Sequence, residues 1–181
     1  MGAGDTVSVG PVPAWGAPTG GAPVSPAILL EVQAFLIDEA CRLDEGRFGE
    51  WVDLFNEDGV YWVPSEPGQA SPDDMLSIFY ESKALLRLRA QRLAHPQTHA
   101  QVPRSRTHHH INNVSVADLG AGRYMAYSLL LVVEWRAGEQ TLFSARCRHE
   151  LQRGGEGLRI AGKRVDLLNC DAPHRAISVP F

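Results

Sequence analysis

Residues 107–116, THHHINNVSV, lie where the hydrophobic pattern of this chain changes. Before them, apolar residues recur at the three- and four-residue spacing of helices. From Arg106 onward they alternate with polar residues, which is the spacing of strands. Residues 107–116, 123–135, 140–152 and 158–170 are therefore predicted to form successive strands, and the short segments between them contain turn-forming glycines.

The first half of the chain is predicted to be mainly helical. Ser25 and Pro26 supply an N-cap and a proline at the first helical position, so we expect a helix over residues 26–43. Asp44 is expected to cap a shorter second helix, because Phe48, Trp51, Val52 and Phe55 follow with helical spacing.

Past the second helix, a turn is predicted at residues 56–59 and a strand at 60–63. Another helix is predicted from Ser71 through Leu93, with an interruption around 80–82, because Asp74 completes a capping box with Ser71. A polar loop follows at residues 95–103.

These elements predict one α+β domain over residues 25–181, with N-terminal helices packed on one face of a curved, mostly antiparallel sheet. Residues 1–24 are rich in glycine, proline and alanine, and we expect a flexible arm there. A chain of 181 residues is long enough to bury one substantial core.

Charge is unevenly distributed along the chain. The formal net charge of −4 gives no reason to expect nucleic acid or a membrane as a partner. An acid-rich segment at residues 38–81 is followed by a segment at 82–117 that contains six basic residues and no acidic one. Surfaces of opposite charge suit a protein partner, and they equally suit two solvated faces.

The cysteines and apolar runs predict a cytoplasmic protein. Cys41, Cys147 and Cys170 are odd in number and far apart, which suits a reducing compartment. The apolar run at residues 129–133 is too short to cross a bilayer, and no basic residue precedes Arg42 as in a secretory signal.

Three adjacent histidines suggest a metal site, and strand geometry argues against one. On a strand, His108 and His110 point to one face and His109 to the other. Two histidines at that spacing can bind one ion, but a catalytic zinc or iron needs a third ligand, and no recognised spacing supplies it. We expect no metal site, and we expect these side chains to lie in a polar cavity on one face and at a surface or interface on the other.

Acidic residues are candidate general bases if the fold buries them. Asp38, Glu39 and Asp166 could act in this way inside an α+β domain. The alternative is that Asp38 and Glu39 are solvated and that Asp166 pairs with a nearby arginine.

Four segments resemble one protein family. Residues 35–51, FLIDEACRLDEGRFGEW, and residues 58–64, DGVYWVP, are similar to the N-terminal signature of the small (β) subunits of Rieske-type aromatic-ring-hydroxylating dioxygenases. Residues 103–114, PRSRTHHHINNV, resemble a central strand of that family, and residues 158–168, LRIAGKRVDLL, resemble its final strand. The resemblance spans residues 28–181.

This resemblance implies a cone-shaped fold of the nuclear-transport-factor-2-like type and a non-catalytic role. The small subunit would support a large catalytic subunit that carries a Rieske [2Fe-2S] cluster and a mononuclear Fe(II). That partner would convert an aromatic ring to a cis-dihydrodiol with O₂ and electrons from NAD(P)H, passed through a reductase and a ferredoxin. The usual assembly has three large and three small subunits.

This chain is expected to hold no cofactor of its own. A Rieske cluster requires C-x-H followed by C-x-x-H, and we expect none of Cys41, Cys147 and Cys170 to begin either motif. We therefore predict no catalytic, cofactor-binding or metal-binding residue here. Arg104, Arg106, His108 and His110 are predicted instead to lie at a subunit interface.

A second hypothesis is a stand-alone, cofactor-free isomerase, cyclase or dehydratase of the same cone fold. Such an enzyme would place Asp38, Tyr61, His108 and His110 together inside the cone. Its support is analogy of fold alone.

Overall fold

The computed structural model describes residues 21–94, 103–174 and 177–181. Helix α1 spans Pro26–Asp44, as predicted, and Ser25 caps it: its side-chain oxygen accepts a hydrogen bond from the Ile28 N–H at 3.4 Å. The proline at the first position needs no N–H partner there, so the helix begins without an unsatisfied donor at that residue.

The second helix, α2, covers Phe48–Asp53, but Asp44 does not cap it. Arg47 occupies the N-cap position without a side-chain cap, and Asp44 is the last residue of α1. The prediction of an Asp44 cap was wrong because tertiary contacts engage this carboxylate: it accepts hydrogen bonds from the Thr107 hydroxyl and the His109 N–H.

Strand β2 runs from Phe55 to Pro64 and includes the residues 56–59 that were predicted to be a turn. Its pairing with β7 (Gly157–Leu167) is parallel and shifts register between Phe55 and Val60. Gly59 lies in this irregular part, where an added Cβ would come within 2.8 Å of the Ile160 carbonyl oxygen. Glycine is needed there because the two backbones approach so closely.

The single helix predicted from Ser71 to Leu93 was wrong in its first half. Strand β3, Ser77–Ser82, precedes helix α3, Lys83–Ala94. β3 pairs antiparallel with the free edge of β2, and the Tyr61 and Phe79 rings stack with centroids 6.2 Å apart. Local spacing could not reveal this partner strand, although the predicted interruption at 80–82 falls near the observed change of structure.

The four-stranded meander predicted after Arg106 is confirmed. Its strands are β4 (Arg106–Gly120), β5 (Arg123–Arg136), β6 (Glu139–Gly154) and β7. With the short strand β1 (Ala22–Pro23), the complete sheet has the order β1-β4-β5-β6-β7-β2-β3. The predicted polar loop at 95–103 lies, apart from Pro103, outside the described residues.

The short strand β1, Ala22–Pro23, pairs with Ala117 and Asp118 of β4. The last residues of the predicted arm are thus part of the sheet, whereas residues 1–20 lie outside the described residues.

Helices and sheet enclose one core, which confirms the predicted α+β class with helices on one face of a curved sheet. Alternate residues of β5 and β6 point inward and are buried. The largest side chains in this core, each at most 1% exposed, are Trp51, Tyr61, Phe55, Phe181, Leu36 and Leu86.

Candidate functional site

The interior of the cone contains charged groups as well as apolar ones. Glu39 of α1 meets Lys163 of β7, with Oε1 and Nζ 2.7 Å apart, and His149 of β6, with Oε2 and Nε2 3.0 Å apart. The Trp51 indole N–H donates to the same carboxylate at 3.0 Å. We call Glu39, Trp51, His149 and Lys163 the buried cluster.

The electrostatics of the buried cluster favour one arrangement of protons. Burial alone would raise the pKa of Glu39, but the charge of Lys163 and the hydrogen bonds from His149 and Lys163 outweigh it and hold this pKa far below its usual range. Burial lowers the pKa of His149. At neutral pH, therefore, Glu39 and Lys163 form an ion pair and His149 is the neutral imidazole.

A neutral His149 can donate to Glu39 only if Nε2 carries the proton. Nδ1 is then a bare acceptor, and it has no hydrogen-bond partner among the described residues. The side chain is 1% exposed, so this acceptor is unsatisfied inside the protein. It is the one feature of the buried cluster that could still recognise another molecule.

Sequence reasoning missed the buried cluster, although signals were present. Glu39 lies three residues after Leu36 and four before Leu43, which are both buried, so it belongs to the inward stripe of α1. His149 and Lys163 occupy inward positions of β6 and β7. The expectation that Glu39 is solvated was therefore wrong.

The other candidate acids behave as the alternative predicted. The Asp38 carboxylate pairs with Arg42 at 2.7 Å on the exposed side of α1. Asp166 pairs with Arg164 at 2.6 Å and lies 3.8 Å from Arg148. Neither carboxylate points into the cone as a free base.

Cys147, Arg148 and His149 have the C-x-H spacing of half a Rieske motif, a match that the sequence interpretation passed over. Both end residues face the interior, because alternate residues of β6 share a face. The His149 Nε2 is already engaged by Glu39, and no C-x-x-H motif follows in the sequence to supply the other two ligands. These residues do not fit a Rieske cluster.

The histidine run is divided between two faces, as strand geometry predicted. His109 points inward: its Nδ1 lies 2.6 Å from Asp44 Oδ1, and its Nε2 lies 3.2 Å from the Pro180 carbonyl oxygen. His108 and His110 are exposed on the outer face, with ring centroids 6.5 Å apart. Among the described residues, no group of three or more His, Cys, Asp and Glu side chains is arranged to hold a metal ion.

Arg104 and Arg106 are exposed near the start of β4, beside a groove of about 400 Å³. The Arg104 guanidinium lies 5.8 Å from the centre of the Phe48 ring, and it fills the space that a Cβ on Gly46 would need. The groove is lined by the C-terminal end of α1, the start of β4 and the segment 178–180.

The outer face continues from these residues as an apolar strip. Leu131, Trp135 and Leu142 are 39%, 42% and 59% exposed. In the sheet register, His108 is opposite Val133 and His110 is opposite Leu131, so the exposed histidines lie on the strip's face. We call Leu131, Trp135 and Leu142, with His108 and His110, the outer strip.

The four residues of the stand-alone-enzyme hypothesis are not brought together. Asp38 is paired on the surface, and His108 and His110 are on the outer face. Only Tyr61 is inside, where burial raises its pKa and its hydroxyl oxygen accepts a hydrogen bond from the Phe181 N–H at 3.1 Å. This hypothesis was therefore wrong about its site.

The sequence model of the family described as ring hydroxylating beta subunit matches residues 38–173. The chain belongs to this family. Membership confirms the resemblance drawn from the sequence motifs and the expected pairing of a small subunit with a large oxygenase subunit. The family is the non-catalytic beta subunit of its enzymes.

Curated relatives agree with this assignment. The small oxygenase component of the p-cumate 2,3-dioxygenase system of Pseudomonas putida is 34% identical over 152 residues, which cover 82% of this chain and 84% of the relative. The beta subunit of biphenyl 2,3-dioxygenase of Rhodococcus jostii is 28% identical over 156 residues, covering 80% of this chain and 83% of that one.

Solved structures show the same fold. The beta subunit of benzoate 1,2-dioxygenase from Burkholderia mallei aligns with a TM-score of 0.67 at 27% identity, over 78% of this chain and 91% of that chain. A chain of naphthalene 1,2-dioxygenase aligns with a TM-score of 0.69 at 20% identity, over 81% and 82% of the two chains.

Among the described residues, no helix is long and apolar enough to cross a membrane.

Proposed function

We propose that this chain is the small subunit of a multicomponent Rieske non-haem iron dioxygenase that forms a cis-dihydrodiol from an aromatic ring with O₂. The family match and the relatives named for dioxygenases of p-cumate and biphenyl support this activity for the complete enzyme. This chain would contribute no reacting group, and its role would be to assemble and stabilise the catalytic subunit.

The large subunit would carry the Rieske [2Fe-2S] cluster and the mononuclear Fe(II). A reductase and a ferredoxin would supply it with electrons from NAD(P)H. The donors in this chain support that division, because the sequence has no C-x-x-H motif and His149 and His109 are engaged by carboxylates.

The assembly would contain three large and three small subunits in the cytoplasm. Cys41, Cys147 and Cys170 are all free thiols, which suits a reducing compartment. We place the large subunit on the outer strip and the adjoining Arg104 and Arg106.

The placement of the large subunit on the outer strip rests on the contrast between the two faces of the sheet. The inner face is filled by apolar side chains and by the hydrogen-bonded buried cluster. The outer strip instead exposes Trp135 and two leucines among basic and imidazole groups. Tryptophan, histidine and arginine around an apolar strip are typical of protein interfaces, where aromatic residues and arginine are enriched.

Co-expression with the large subunit of the same system tests the proposal. The tagged large subunit should copurify this chain, and native mass spectrometry should give three copies of each. Without this chain, the large subunit should lose assembly and turnover of its aromatic substrate. A large subunit that assembles and turns over equally well alone would contradict the accessory role.

Trp135→Glu tests the placement on the outer strip, with Leu76→Glu as the matched control. Leu76 is 90% exposed and lies beside β3, at the opposite edge of the sheet. Trp135→Glu should abolish copurification and Leu76→Glu should leave it unchanged. If Trp135→Glu disrupts only the association of this chain with itself, the strip belongs to a second copy and our placement of the large subunit is wrong.

A further inference from the structure

Residues 177–181 of the same chain pack against the interior of the cone and cover it. The Phe181 ring is 0% exposed and packs edge-on against Phe143, with ring centroids 5.2 Å apart. Three hydrogen bonds hold the segment: Arg136 donates to Ser178 Oγ, the Pro180 carbonyl oxygen contacts His109, and the Phe181 N–H donates to Tyr61. A benzyl group thus fills a pocket that the sheet and α1 form.

That pocket adjoins His149, the residue that bears the unsatisfied acceptor of the buried cluster. A small cavity of about 10 Å³ is lined by both Phe181 and His149, together with Ile111, Leu130 and Cys147. The cavity alone has room for little more than one water molecule. Without the Phe181 ring, the space would extend from Phe143 to His149.

The walls of this combined space specify a class of ligand. Phe143, Ile111 and Leu130 offer apolar contacts to a flat ring. Glu39 and Lys163 neutralise each other at 2.7 Å and His149 is neutral, so the site offers no net charge to a charged ligand. His149 Nδ1 requires a donor, because Nε2 carries the proton that is directed to Glu39.

We propose that the cone interior is a binding site for a small, neutral aromatic molecule bearing one O–H or N–H donor, and that the Phe181 side chain occupies this site in cis. The ligand's ring takes the place of the benzyl group against Phe143. Its donor satisfies His149 Nδ1. This site lies on the opposite face of the sheet from the outer strip and does not depend on the proposed enzyme activity.

Phe181→Ala in the full chain opens the site, and phenol and toluene are the probes. Calorimetric titration should give one saturable phenol site in the variant, with affinity at least about tenfold higher than in the unchanged chain. Toluene has nearly the same shape but no donor, so it should bind about tenfold more weakly than phenol, the ratio expected for one neutral hydrogen bond. Val179→Ala, which loosens the same segment without removing the ring, should bind neither probe.

His149→Leu tests the recognition of the donor. In the Phe181→Ala background, leucine removes the Nδ1 acceptor without supplying another, while Lys163 and Trp51 still donate to the Glu39 carboxylate. The preference for phenol over toluene should disappear while toluene binding remains. A preference that survives this change would overturn the assignment of His149.

Phe181→Leu is a second variant, which tests the site even if the alanine variant does not fold, because leucine keeps part of the apolar contact. It should bind phenol more weakly than Phe181→Ala does and with the same preference over toluene. If neither variant, shown to be folded by its dispersed amide spectrum, binds phenol saturably, the proposed site does not exist.

Discussion

His109 Nδ1 and Asp44 Oδ1 lie 2.6 Å apart, although 65 residues separate these residues in the chain. Asp44 is the last residue of α1, and the same carboxylate accepts hydrogen bonds from the Thr107 hydroxyl and the His109 N–H, both at 2.9 Å. These bonds hold the pKa of Asp44 below its usual range, although burial opposes them. One side chain therefore fixes the end of the helix against the start of β4.

Removing this carboxylate should destabilise the domain. We expect Asp44→Ala to lower the free energy of unfolding by about 2–3 kcal/mol, because it leaves His109 and Thr107 donors without their charged acceptor. Asp44→Asn keeps an acceptor oxygen and should cost about half as much. Urea unfolding at neutral pH measures both.

Asp58→Ala is the control for the loss of an acidic residue at an exposed position. It should change the free energy of unfolding by less than about 0.5 kcal/mol. An Asp44→Ala protein as stable as this control would show that the contact with His109 does not hold the helix.

Replacing one member of the buried ion pair should be costly. Lys163→Met leaves Glu39 buried with a weaker set of partners, and we expect a loss of about 3–5 kcal/mol in the free energy of unfolding. Adding Glu39→Gln should recover part of that loss, because no uncompensated charge then remains. A double variant whose loss equals the sum of the two single losses would contradict direct coupling.

Acidification should destabilise the protein through the buried cluster. Burial lowers the pKa of His149 below its ordinary 6.5, so below that pH the unfolded chain binds a proton that the folded chain does not. Glu39 acts in the same direction at lower pH, because its pKa in the folded protein lies below its ordinary 4.5. Stability is therefore greatest above pH 6.5 and decreases below it, by up to about 1.4 kcal/mol per pH unit for each proton.

Urea unfolding at about pH 7 and pH 5.5 checks this dependence. His149→Gln removes the titrating group, so the difference in stability between the two pH values should shrink by about 1 kcal/mol. His108→Gln, at an exposed position of β4, should leave the difference unchanged. Equal pH dependence in all three proteins would rule out His149 as its source.

The predicted interface residues should contribute to assembly through charge. Replacing Arg104 and Arg106 together by alanine should weaken copurification with the large subunit at low salt and reduce its dependence on ionic strength. Arg123→Ala removes an exposed arginine at the other end of the β4–β5 pair and is the matched control. Unchanged salt dependence in the double variant would exclude these two arginines from the interface.

Local sequence patterns were sufficient for most of the fold. Alternation after Arg106 predicted four strands, and Ser25-Pro26 predicted the start of α1. The pattern failed at residues 77–82, where helical spacing of apolar residues was found in a strand. The reason is that β3 is stabilised by pairing with β2, a contact that no local window contains.

The candidate site was less predictable than the fold. Strand geometry correctly separated His109 from His108 and His110, because alternation is a local property. The buried cluster was missed because its residues come together only in the folded chain. Glu39 lies 110 residues from His149 and 124 from Lys163 in the sequence.

The sequence by itself determined the class of fold, the first helix, the four-stranded meander and the family, because periodicity, caps and motifs are properties of short segments. Only the tertiary structure decided which polar groups are satisfied. Glu39 is an ionised, buried residue because three elements bring a lysine, a histidine and an indole to it. His149 Nδ1 is left without a partner for the same reason, since burial and hydrogen bonding are properties of the packed domain.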